Sequence, residues 1–239
     1  MEPDVVFNSR PHIERVALPG GQSCFIVDGA LREPERLVAF AAARREAFRP
    51  VDFNAYPGIL LPTPQVSVVL NEFFLQHMRR RFDARRVIHM HSRLALVTVP
   101  PRLLSARQAL CHRDSIGLDP QHSIQASVLY LFEDAGMGGT SFYEATVPEP
   151  AVALLFHDAS TLPGTVFAQK YGLAPGYMTD SNRYFTKVAS VPAKWNRLIF
   201  YDGGLLHSGD IGAPEKLSDD PAAGRLTLNG FFTCRRGAA

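Results

Sequence analysis

The chain has 239 residues, of which 46% are hydrophobic, 10% aromatic and 20% charged. That is enough apolar side chain for a sizeable core, and it excludes global disorder. No apolar stretch approaches the roughly 20 residues needed to cross a bilayer, and a formal net charge of +2 is too mild to imply a nucleic-acid partner. The three cysteines, Cys24, Cys111 and Cys234, are odd in number and widely spaced, which argues for a reducing compartment rather than a disulfide scaffold. The opening MEPDVVFNSRP lacks the basic-then-apolar order of a signal peptide. These features predict a cytoplasmic protein without a membrane partner. The length predicts a single domain over 1–239, with supporting elements in 1–88 and a β core in 89–239.

Residues 23–27 form a short β-prone run closed by Asp28-Gly29. Residues 31–48, rich in Ala, Leu, Arg and Glu at helical spacing, predict a helix with Pro34 in its first turn. Residues 52–63 carry Pro57, Gly58 and Pro62 and read as loop. A second amphipathic helix is expected over about 65–82, with Val66, Val69, Leu70, Phe73, Phe74 and Met78 on one face. The arginines at 79, 80, 81, 85 and 86 read as a solvated helix end favoured by the dipole, rather than as a phosphate patch.

From about residue 88 the texture changes to short strands separated by glycine turns. Strands are expected at 94–99, 124–132, 140–144, 197–201 and 225–233, with a Gly-rich turn at 136–139 and a short run, Leu205-Leu206-His207, after Gly203-Gly204. The fold class is therefore mainly β with N-terminal helices, built as an antiparallel barrel or sandwich. The Pro-, Gly- and aromatic-rich segment at about 147–194 reads as an ordered insertion over the mouth of the barrel.

His112-Arg113-Asp114 is the informative local pattern. In extended chain, residues spaced by one point to the same side, so an imidazole and a carboxylate converge on one ion. With a distant histidine, for which His207 is the candidate, they make a facial triad of two histidines and one carboxylate, a donor set suited to non-haem Fe(II). The tripeptide alone is weak, because 8 His and 13 Asp supply about 0.4 such tripeptides by chance. After His207 comes Arg225-Leu226-Thr227-Leu228-Asn229. Period-two alternation puts Arg225, Thr227 and Asn229 on one face and Leu226 and Leu228 on the other. The polar face is either half exposed or lines a polar cavity in which a guanidinium holds a carboxylate.

The order His112-x-Asp114, His207, Arg225-x-Thr227 resembles the signature of Fe(II)- and 2-oxoglutarate-dependent dioxygenases. Several stretches are similar to the prolyl-4-hydroxylase-like branch of that superfamily: residues 128–131 followed by Gly138-Gly139-Thr140-Ser141-Phe142, residues 192–207 leading into the last histidine, and residues 25–31 with their helix. The resemblance spans about 24–233. It implies a double-stranded β-helix (a jelly-roll, cupin-like barrel) in which His112, Asp114 and His207 hold Fe(II). It further implies that 2-oxoglutarate is anchored by Arg225, helped by Thr227 and Tyr130, and that O2 is the second cosubstrate. The substrate would be a small molecule or a peptide side chain, and the presence of Asp114 favours hydroxylation over halogenation. Two departures stand out: Arg at 225, where the branch commonly has Lys, and the 18 positions between His207 and Arg225.

Two other readings stay open, a non-catalytic β-helix binding or regulatory protein and a cupin-type metalloenzyme that does not use 2-oxoglutarate. His89-Met90-His91 has same-face spacing but no acid nearby. Cys111 and Trp195 read as packing residues. Asp210 is a candidate for orienting His207.

Overall fold

The computed structural model describes residues 2–51, 56–114, 119 and 121–237. Its spine is an eight-stranded sheet in the spatial order β1 (Glu14–Ala17), β2 (Ser23–Asp28), β9 (Arg197–Asp202), β6 (His122–Tyr130), β11 (Leu226–Arg236), β5 (Ala84–Val97), β4 (Gly58–Pro62) and β3 (Arg49–Pro50). A second sheet holds β10 (Leu206–Gly209), β7 (Thr140–Ala145) and β8 (Phe185–Val191), with β7 in the middle. Every pairing in both sheets is antiparallel, an arrangement consistent with a jelly-roll or cupin-like fold.

Period-two alternation sorts each central strand between two cores. From β9, Leu198 and Phe200 pack with Leu37 and Ala41 of α1 (Glu35–Ala43) and with Val66, Leu70 and Phe73 of α2 (Pro64–Phe73). Its neighbours Ile199 and Tyr201 turn the other way, toward Phe142 of β7 and Val191 of β8. The helix-side core centres on Phe74, whose ring stacks on Phe232 at 4.1 Å and lies 6.1 Å from Phe200. Burying one such ring stabilises the fold by about 1.5–3 kcal/mol. A third cluster joins α3 (Glu149–Thr161) and α4 (Gly164–Tyr171) to β7, β8 and β10 through Tyr143, Val152, Leu155, Phe167, Tyr171, Phe185 and Leu206.

Several elements differ from the expectations. The loop read over 52–63 contains β4, because pairing with β5 outweighs the local breakers. Gly58 permits the close approach, since a Cβ there would lie 2.0 Å from the Leu96 carbonyl oxygen. Residues 52–55 lie outside the described residues. The first helix is shorter than read, covering only Glu35–Ala43, with a short 3-10 turn at Arg45–Ala47 after it. The second helix leaves α geometry after Phe73, passes through a π turn at Phe74–Met78 and a 3-10 turn at Arg79–Phe82, and stops at Asp83, whose φ is +49°. Arg81 Nε donates to the His77 carbonyl at that end. The arginine thus supplies a donor where helix carbonyls lack one.

Strand β5 starts ten residues earlier than read, drawn out by its pairing with β11 along its whole length. Within the segment at 147–194 lie α3, α4 and also β8, so its last part is a strand of the smaller sheet rather than a cover. None of the helices among the described residues is long and apolar enough to cross a membrane.

Candidate metal centre

His112 and His207 are brought together by backbone pairing. The N–H of each donates to the carbonyl of the other at 2.9 Å, an isolated bridge between the segment before β6 and strand β10. Asp114 is placed separately, by its N–H donating to the Gly203 carbonyl at 2.7 Å, while Gly203 N–H donates to Ile124 of β6. Gly203 is needed at that contact: a Cβ there would stand 3.0 Å from Asp114 Cβ and 3.1 Å from the Ile124 carbonyl oxygen.

One ligand atom from each of His112, Asp114 and His207 lies within 4.8 Å of the others. His112 Nε2 is 3.6 Å from Asp114 Oδ1, and His207 Nε2 is 3.5 Å from Asp114 Oδ2. These separations exceed a normal hydrogen bond and suit donors grouped around an ion about 2.1 Å from each. His207 Nδ1 lies 2.9 Å from the Leu205 carbonyl oxygen. A carbonyl only accepts, so the proton sits on Nδ1 and the Nε2 lone pair faces the carboxylate.

The electrostatics match the donors of a cation. Asp114 Oδ2 is buried with no hydrogen-bond partner among the described residues, an unfavourable state for a carboxylate unless an ion completes it. Loss of hydration raises the Asp114 pKa, against the pull of His207 and Arg93. His112 is held well below the usual imidazole range, first by loss of hydration and then by His207, Arg107 and Arg93, so it is neutral and able to donate its lone pair. The side chains of His207 and Asp114 are 6% and 14% exposed and that of His112 is 36%, so the cluster opens on the His112 side. Two imidazoles and one carboxylate on one face therefore fit a divalent transition metal and leave coordination positions open.

The triad sits in the wall of a cavity of about 570 Å³, lined also by Arg225, Thr227 and Asn229. Leu226 and Leu228 go to the helix-side core, as alternation requires. Arg225 is buried; its Nε donates to the carbonyls of Met137 (2.9 Å) and Gly138 (3.2 Å), and its Nη2 to Gly139 (3.1 Å). These carbonyls belong to the glycine turn between β6 and β7 and leave the Nη1 amine out. The turn requires glycine, since φ at Gly138 is +87° and a Cβ at Gly138 or Gly139 would lie 1.9 Å from a carbonyl oxygen.

Tyr130 is placed differently from the sequence reading. It is buried between the sheets, is absent from the cavity wall, and its hydroxyl is 2.8 Å from Thr140 Oγ1, which does line the wall. Asp210 does not orient His207: it pairs with Lys187 at 3.0 Å and accepts from Ser190 at 2.9 Å. His89 and His91 lie on β5, and the His91 ring stacks on Phe231 at 5.1 Å. Cys111 is buried, and Trp195 packs against the helix-side core.

Sequence reasoning missed Tyr56, Arg93, Arg107 and Tyr177 in the wall. Burial pushes the Tyr56 phenol up to about 12, against the pull of the Arg225 charge. Arg93 left one signal, a charged residue leading directly into the apolar run at 94–97.

The chain matches a family model described as "Family of unknown function (DUF6445)" over residues 9–232 and belongs to that family. No curated protein matches it. Among solved structures it is similar to SnoN, a non-heme alpha-ketoglutarate-dependent epimerase from nogalamycin biosynthesis, at 14% identity and a TM-score of 0.46, covering 89% of this chain and 80% of that one. SnoN has also been crystallised with Fe3+, alpha ketoglutarate and nogalamycin RO. AviO1 from Streptomyces viridochromogenes Tue57 is 15% identical with a TM-score of 0.42, covering 86% of this chain and 84% of that one. EvdO2 from Micromonospora carbonacea var. aurantiaca, complexed with 2-oxoglutarate, is 11% identical with a TM-score of 0.42, covering 93% and 94%.

Proposed function

We propose that this protein is an Fe(II)- and 2-oxoglutarate-dependent oxygenase of the hydroxylase type, acting on a small molecule or a peptide side chain. The observation that carries the reading is the convergence of His112, Asp114 and His207, with ligand atoms within 4.8 Å of one another, in the wall of a cavity that also holds Arg225. On this reading the two sheets are the halves of a double-stranded β-helix, and 1–239 is one domain. The likeness to the prolyl-4-hydroxylase-like branch rests on the sequence motifs alone. Three buried free cysteines support a reducing, cytoplasmic setting.

His112 and His207 would hold the iron as neutral imidazoles through Nε2, and Asp114 as a carboxylate. When bound, iron with 2-oxoglutarate and O2 supplies the oxidising chemistry, in which the keto acid loses CO2 to become succinate. The protein's part is geometry. Arg225 offers its Nη1 edge to the distal carboxylate of 2-oxoglutarate, and the carbonyls of 137–139 keep the guanidinium from swinging. Thr227, one alternation further along β11, adds a hydroxyl to the same wall. Tyr130 acts at one remove, by fixing the Thr140 hydroxyl. The 147–194 segment reaches the cavity through Tyr177, whose hydroxyl donates to the Val99 carbonyl, so this segment contributes to substrate choice.

Anaerobic titration of the protein with Fe(II) and then 2-oxoglutarate tests the reading. The expected result is a weak visible charge-transfer band that saturates and is absent from His112→Ala, followed by slow succinate formation on admission of O2. Failure of the wild-type protein to bind either component would overturn it. A chelate that forms without any succinate under any condition would favour the non-catalytic binding protein instead.

A further inference from the structure

Four guanidinium groups line the cavity, those of Arg93, Arg107, Arg113 and Arg225, while Asp114 is the one acidic side chain among its described lining residues. Arg113 is neutralised from outside by Glu149, with its Nη2 3.1 Å from Oε2. Arg225 is the group assigned above to 2-oxoglutarate. Arg107 donates through Nη1 to the neutral Ser160 hydroxyl, and its Nε is buried without a partner. Arg93 is the least satisfied of the four. Its Nε is buried without a hydrogen-bond partner among the described residues, and its guanidinium lies over the Phe231 ring at 4.8 Å. A guanidinium in such a cation–π contact keeps N–H donors for other partners.

The surroundings of Arg93 are equally incomplete. Its register partner across the β5–β11 ladder is Asn229, a buried residue that is also in the cavity wall, with Oδ1 unpartnered among the described residues. Tyr56 and then Asp114 are the acidic groups that favour the charged form of Arg93, and Arg93 and Asp114 form no ion pair within 4.0 Å. In the loaded site Asp114 and one carboxylate of 2-oxoglutarate would face the metal, and the other carboxylate would face Arg225. Arg93 and Arg107, both half-buried, would then share the cavity with no further acidic side chain among its described lining residues, an arrangement that a bound anion would compensate.

Building on the functional reading above, we propose that the substrate is a small molecule bearing an oxyanion, a carboxylate or a phosphate, received by the in-plane donors of Arg93. The Asn229 amide meets a polar group on the same fragment, and Arg107 adds long-range attraction. Arg93 is thus a substrate-specifying residue, distinct from the cosubstrate anchor Arg225. It also supplies an orientation: a molecule held by one charged end at Arg93 has a fixed span to the triad, which selects which of its carbons is presented for oxidation.

The test is ligand-observed NMR on the whole protein, with Zn(II) in place of iron and saturating 2-oxoglutarate so that Arg225 is occupied, titrated separately with benzoate and with inorganic phosphate. At least one probe should bind the wild type and bind Arg93→Gln at least tenfold more weakly. Whichever probe binds better names the class of anion. Arg93→Lys, which keeps the charge but loses the fork, should fall between the two and stands in if Arg93→Gln does not fold. Zn(II) affinity, read in the same samples, should be unchanged by Arg93→Gln; loss of metal binding together with the anion would mean that Arg93 merely supports Asp114. Equal binding of both probes by wild type and variant, or no binding of either by wild type, would overturn the proposal. The same titration on metal-free Arg225→Gln protein, with and without Arg93→Gln, reads the Arg93 site even if 2-oxoglutarate never binds. Failure of the oxygenase reading and failure of this one are therefore separable.

Discussion

Gly203 and Asp114 touch so closely that the absence of one carbon atom determines where the carboxylate sits. The Gly203 carbonyl accepts from Asp114 N–H at 2.7 Å, and a Cβ on Gly203 would stand 3.0 Å from Asp114 Cβ and 3.3 Å from its Oδ2. The turn after β9 therefore sets the position of a residue more than eighty positions earlier in the chain.

Gly203→Ala should accordingly leave the fold intact and damage the metal site. The added methyl also meets the Ile124 carbonyl oxygen at 3.1 Å. That oxygen belongs to a central strand and resists movement, so the Asp114 segment gives way. Supporting contacts of this kind change metal affinity by about 10–100-fold, and a loss of about tenfold is expected. Metal titration alongside a thermal melt checks it: unchanged affinity would mean that Asp114 does not depend on this contact.

Arg225→Gln should separate cosubstrate from metal. A charge-assisted hydrogen bond contributes about 1.5–3 kcal/mol, so 2-oxoglutarate affinity should fall about 10–100-fold while metal affinity changes far less. The glycine turn also loses donors for the carbonyls of Met137, Gly138 and Gly139. Stability should therefore drop by about 1–3 kcal/mol, read by urea denaturation. An equal effect on metal and on 2-oxoglutarate would count against the assignment.

Asp28 supplies a pH-dependent part of stability far from the site. It faces Arg197 across the β2–β9 pair, with Arg197 Nε 2.7 Å from Oδ1 and Nη2 3.0 Å from Oδ2, and also meets Lys194. The Arg197 hydrogen bond, with Lys194 behind it, lowers the Asp28 pKa from 3.8 to about 2. A depressed carboxylate stabilises the fold fully above its unfolded value near 3.8, and that stability is lost as pH falls through about 2. Because Asp28 is 40% exposed, screening reduces its contribution to about 1 kcal/mol. Asp28→Asn should therefore melt below wild type at pH 6, and the gap should close as pH falls from 4 to 2. A gap independent of pH would assign the loss to something other than the charge.

Much of the architecture was legible because it depends on local period. The alternation in 225–229 correctly separated Arg225, Thr227 and Asn229 from Leu226 and Leu228, since a pleated strand offers only two faces. The glycine pair 138–139 marked a turn for the same kind of reason, a backbone that a side chain would obstruct. Strand β4 was illegible because its hydrogen bonds come from β5, more than thirty residues away, while its own residues argue for loop. The placement of Tyr130 was illegible because polar residues near one wall look alike until packing shows which faces the cavity and which stands behind Thr140.

By itself, then, the sequence determined a mainly β chain with helices near its start, and the donors present for an ion and an acid. Those are properties of residue type and short-range spacing. Only the tertiary structure decided that His112 pairs with His207, that Gly203 seats Asp114, that the glycine turn steadies Arg225, and that Arg93 and Asn229 stand side by side in the cavity wall. Each of these rests on contacts between segments far apart in the chain, whose distances are set by strand register and the packing of the cores, and no local pattern encodes them.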